Sequence, residues 1–111
     1  MSRTIEGAEL LRQMAKEDGQ GDLAVLLDCW ILSARKAQDY QGGGVSRDAY
    51  FPFGVKSYVT MLVIKVNRLI SLANQETQPV HETMTDSAKD LINYSAFLVE
   101  RLERNPDVPR P

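Results

Sequence analysis

The segment from about 56 to 74 constrains the fold more than any other part of the chain. It carries Met61, Leu62, Val63, Ile64, Val66, Leu69, Ile70 and Leu72, with no glycine or proline between them. Wound as a helix, it is apolar almost all round, and such a helix has to be covered on most sides by other helices or by a second subunit. No strand-like alternation appears anywhere in the sequence, so the partners are expected to be helices too. The chain is therefore predicted to be all-α: a small helical bundle of about four helices, oligomeric in solution.

The other helices are read from their periodicity and their breakers. Leu10, Leu11 and Met14 mark a short amphipathic helix near the N-terminus that stops at Asp18-Gly19-Gln20-Gly21. Asp22 is the expected cap of a second helix, which runs through Leu23, Leu26, Leu27, Trp30 and Ile31 to about Tyr40 and ends at the triple glycine 42–44. Trp30 and Cys29 are expected in the core. Between 45 and 54, Tyr50, Phe51, Pro52 and Phe53 describe an ordered aromatic loop, in which Phe51 and Phe53 are more often core plugs than platforms for a ligand. Pro79 suits the first turn of a fourth helix that ends before Asn105. One domain is expected over 1–104, followed by an extended proline-rich tail over 105–111.

Charge is placed unevenly on the last two helices. Glu82, Asp86 and Asp90 recur every four residues, and Asn93 continues nearly the same line. Lys65 and Arg68 lie three apart on the apolar third helix, where an unpaired ion costs several kcal/mol unless it reaches water, a ligand or a counter-charge. The acids of the fourth helix are the expected companions. A solvated acidic face with Lys65 reaching past apolar neighbours to water is the bland alternative.

Composition removes whole classes of function. A formal net charge of −2 over 111 residues argues against a non-specific nucleic-acid binder. The apolar run from 23 to 32 is too short to span a bilayer and the N-terminus lacks a signal pattern, so a cytoplasmic protein is expected. The lone cysteine and lone histidine preclude a thiolate or multi-histidine centre. Any metal would be a hard cation on oxygens, with Mg²⁺ or Mn²⁺ the natural candidates.

Taken together, Asp39-Tyr40, the loop from Tyr50 through Phe53-Gly54-Val55-Lys56-Ser57 to Tyr58, Lys65-x-x-Arg68, and Glu82-x-x-x-Asp86-x-x-x-Asp90-Leu91-Ile92-Asn93-Tyr94 resemble the nucleotide modification associated domain type 1 family. Its members are small proteins frequent in bacteriophages. The resemblance covers roughly 25 to 103 and implies a phage setting and a link to nucleotide chemistry. A more distant similarity connects the chain to all-α nucleoside triphosphate pyrophosphatases of the MazG and dimeric dUTPase kind, which hold Mg²⁺ with Glu-x-x-Glu on one helix and Glu-x-x-Asp on another. This chain departs from both motifs: its fourth helix spaces the acids by four, and its second helix offers Asp28 and Asp39 only.

Three functions stay open on this reading. The first is a nucleotide-binding protein in which Lys65 and Arg68 neutralise phosphates, Tyr50, Phe53 and Tyr94 supply rings for a base, and Asn93 lies alongside. Glu82, Asp86 and Asp90, with Asp39, would hold Mg²⁺ if it hydrolyses a nucleoside triphosphate. The second is a non-catalytic sponge that sequesters a nucleotide immune signal of the host. The third is a structural or protein-binding module in which Lys65 and Arg68 merely pair with Asp86 and Asp90.

Overall fold

The structure, a computed structural model, describes residues 2–42, 51–75 and 81–104, with side chains for all of them except 39–42, 81 and 82. These residues form four helices and no strand: α1 (Arg3–Glu17), α2 (Gly21–Gly42), α3 (Val55–Ala73) and α4 (His81–Arg104). The all-α class and the helix count are those the periodicity predicts. The chain divides into two compact units, Met1–Ala49 with α1 and α2, and Tyr50–Pro111 with α3 and α4.

In the first unit, Ser2 caps α1 by accepting from the Ile5 N–H through its hydroxyl oxygen at 3.3 Å. The other end is closed by a Schellman motif. Gln20 N–H donates to the Ala15 carbonyl at 2.8 Å and Gly19 N–H to that of Lys16 at 3.3 Å, which requires the left-handed φ of +72° at Gly19. The chain then turns straight into α2, whose first bond runs from Ala24 N–H to the Gln20 carbonyl at 3.1 Å. Asp22 is thus not the cap the sequence suggests. It lies inside the first turn, where its carboxylate accepts from the Leu23 N–H at 2.9 Å and complements the positive end of the helix.

Ile5, Ala8 and Ile31 form the core of this unit, with Leu27 and Ala34 packed against them. Arg12 and Asp28 at 2.6 Å, and Arg35 and Glu9, tie the two helices together at the rim. Cys29 is buried as expected, but Trp30 is 40% exposed. Successive helical residues point about 100° apart. With Ile31 turned into the core, its neighbour falls on the flank.

In the second unit, a tight turn leads into α3: Gly54 N–H donates to the Phe51 carbonyl at 3.0 Å, with Pro52 and Phe53 at the corner. Gly54 holds φ +61°. The Phe53 N–H is fixed by the Ser57 hydroxyl at 3.0 Å, so the ring points outward and is 78% exposed. Phe53 is therefore not a core plug. Phe51 is one, stacked on the fully buried Tyr58 with ring centres 4.2 Å apart. Tyr94 meets Phe51 and Phe97 edge-on, each at 6.0 Å, which joins the loop to α4 through aromatic contacts.

α3 and α4 pack antiparallel, because Gly54 lies beside Arg101 while Lys65, eleven residues on, meets Asp90, eleven residues back. Tyr58, Met61, Leu62, Lys65, Leu69 and Leu72 make up the covered stripe of α3, and none of them is exposed. Val59, Val63, Ile64, Val66 and Ile70 lie off this stripe and are each at least 40% exposed. Of the cover expected on most sides of this helix, α4 supplies one stripe.

Candidate functional site

Lys65 occupies a place on the covered stripe where its neighbours four residues either way, Met61 and Leu69, are apolar. Its stem runs along that apolar surface and its ammonium Nζ reaches Asp90 Oδ2 at 2.9 Å. The side chains are 20% and 32% exposed, so the pair is sheltered without being sealed. The antiparallel register is what delivers Asp90 to this point.

Arg68 follows Lys65 by three residues and has left the stripe. It is exposed, as is Asp86 on α4, and among the described residues the two form no ion pair. The four-residue step from Asp86 to Asp90 therefore separates an acid facing water from one turned toward α3. Asn93 and Tyr94, next along α4, are half-buried. The side chains of Asp39 and Glu82, and all of Tyr50, lie outside the described residues. Among the described residues no three of His, Cys, Asp and Glu come close enough together to hold a metal ion.

The sequence-predicted residues therefore fall into separate places. Lys65, Arg68, Asp86, Asp90 and Asn93 gather around the middle of the helix pair, with Tyr94 one turn from Asp90. Phe53 lies in the turn before α3, and Lys65 is ten residues into the helix from Val55, about 15 Å along its axis.

Sequence reasoning passed over Arg101. No acid stands in the first turn of α3 and no side chain caps it. Into this already positive end of the helix α4 brings a guanidinium: Arg101 Nη2 lies 3.5 Å from where a Cβ on Gly54 would be, and its Nη1 is buried without a hydrogen-bond partner. The available signal was the basic last turn of α4, Arg101 and Arg104. It gains meaning only once the register sets it against Gly54.

No helix among the described residues is long and apolar enough to cross a membrane. A family model described as nucleotide modification associated domain 1 matches residues 36–102, which takes in all of α3, most of α4 and the end of α2. No curated protein and no solved structure matches the chain significantly.

Proposed function

We propose that this chain, which belongs to the nucleotide modification associated domain 1 family, binds a phosphorylated nucleotide on the pair of helices α3 and α4. The observation that carries the reading is the placement of Lys65, a cation held at a half-buried point between two helices with Arg68 exposed one turn further. A phosphate meets Arg68 first and then competes with Asp90 for the ammonium, gaining charge-assisted hydrogen bonds from both. Asn93 and Tyr94 are within reach of the sugar or base.

Binding without turnover fits this arrangement better than hydrolysis. Asp90 is engaged by Lys65, and among the described side chains that leaves Asp86 as the free acid of the stripe, whereas Mg²⁺ catalysis needs carboxylates converging on one point. Sequestration of a nucleotide signal, as a phage protein would use against its host, is the corresponding role. Hydrolysis would require Glu82, Asp86 and a released Asp90 to gather around Mg²⁺. The reading also has copies of the chain assemble, because α3 leaves Val59, Val63, Ile64, Val66 and Ile70 exposed; light scattering at micromolar concentration checks this.

Calorimetric titration with mononucleotides, cyclic oligonucleotides and ADP-ribose derivatives, in Mg²⁺ and in EDTA, tests the proposal. Binding to the native chain that is lost in Lys65→Ala and weakened in Arg68→Ala supports it. Silence across the panel overturns it in favour of a structural helical module, a reading favoured by the way Lys65 and Asp90 already satisfy one another.

A further inference from the structure

A groove runs along the first unit between the start of α1 and the second half of α2, with a volume of about 310 Å³. Ala34 and Ala37 line it with small side chains, and Trp30, 40% exposed, lines it with a ring. This volume is at the lower end of the ~300–1,000 Å³ typical of small-molecule sites. Every other group lining it is uncharged. The neighbouring Arg35 is held by Glu9 and does not line the groove.

The polar groups at the rim offer hydrogen bonds of both kinds. The Ser2 oxygen accepts from Ile5 N–H at 3.3 Å, which leaves its O–H to donate. The Ser33 hydroxyl donates to the Trp30 carbonyl at 2.9 Å, which leaves its oxygen to accept. Thr4 supplies a hydroxyl and Gln38 an amide that does both. An aromatic face beside a rim of neutral donors and acceptors suits a flat ring that stacks and also presents hydrogen-bonding edges. No charged side chain lines the groove.

We infer that this groove binds an uncharged planar heteroaromatic ring, the chemistry of a free nucleobase or nucleoside, at a site separate from the phosphate site on α3 and α4. Trp30 is the one tryptophan of the chain, so its fluorescence reports occupancy directly. The experiment titrates the full-length protein, excited at the red edge of the tryptophan band, with adenine, guanosine, uridine, thymidine and their 5′-monophosphates. The expected result is saturable quenching by at least one neutral base or nucleoside, with its monophosphate binding no more tightly. Thr4→Ala and Gln38→Ala should each weaken it about fivefold, the loss of one hydrogen bond, with helical circular dichroism unchanged. Trp30→Leu, followed by calorimetry, should abolish it. The response must survive Lys65→Ala, whatever becomes of nucleotide binding on the other unit. Absence of saturable quenching by any neutral ring overturns the inference, as does a response that needs the phosphate and vanishes in Lys65→Ala.

Discussion

Lys65 Nζ and Asp90 Oδ2 meet at 2.9 Å across the interface of α3 and α4, the cation supplied by a helix that has no acid in its first turn and no base in its last. Were the pair fully buried, loss of one partner would cost about 3–5 kcal/mol. Exposures of 20% and 32% bring that down, because water screens the pair and solvates whichever partner is left. A double-mutant cycle of Lys65→Met and Asp90→Asn in thermal or urea unfolding should give a coupling of about 1 kcal/mol. The same cycle with Arg68→Met in place of Lys65→Met should give none. Coupling at Arg68 equal to that at Lys65 would mean the register is wrong.

Two glycines of the first unit should respond to alanine with opposite signs. Gly7 is inside α1 with nothing within 4 Å of an added Cβ, so Gly7→Ala should stabilise by about 0.5–1 kcal/mol through helix propensity. Gly19 also has free space around it, but its φ is +72°. Gly19→Ala should therefore destabilise by about 1 kcal/mol or more, since the Schellman closure forces the left-handed conformation on a residue with a Cβ. Urea melts monitored by circular dichroism distinguish the two, and equal signs would contradict the closure described here.

Phe51 and Phe53 differ by two positions and should differ widely in cost. Phe51 is stacked on Tyr58 and edged by Tyr94, so Phe51→Ala removes an aromatic contact as well as buried area and should cost roughly 3 kcal/mol. Phe53 is 78% exposed, and Phe53→Ala should fall within about 0.5 kcal/mol of the parent. Thermal unfolding of the two variants side by side is sufficient. A large loss at Phe53 would show that its ring is covered in solution.

These contrasts show what a sequence does and does not reveal. Helix number and type followed from apolar periodicity and from Gly19, because those signals are local. Cys29 was legible as core for the same reason. Trp30 was not, since bulk and apolarity do not say which flank of a helix a residue falls on once Ile31 has taken the inward position. Phe53 was misjudged because its direction is set by two bonds, Gly54 N–H to Phe51 and Phe53 N–H to Ser57, that no composition rule contains. At the candidate site, spacing showed that Lys65 needed an opposite charge and that the acids of the fourth helix could provide it. Which acid answers, and that Arg101 comes to rest beside Gly54, depends on the antiparallel register, a tertiary fact.

Asp90→Asn addresses the proposed function most directly. In the native chain a phosphate must take the Lys65 ammonium from Asp90, so the ion pair opposes binding by about its own net strength, ~1 kcal/mol. Neutralising Asp90 keeps the side-chain shape and removes the competitor. If the chain only binds its nucleotide, Asp90→Asn should therefore raise affinity about fivefold, equally in Mg²⁺ and in EDTA, a factor that ~1 kcal/mol represents at room temperature. If instead Asp90 leaves Lys65 to hold Mg²⁺ for hydrolysis, the same change should weaken binding in Mg²⁺ and stop product formation. Calorimetry on parent and variant in both buffers, with phosphate release measured alongside, separates the cases. An affinity indifferent to Asp90→Asn in both buffers would remove Lys65 from the phosphate site altogether.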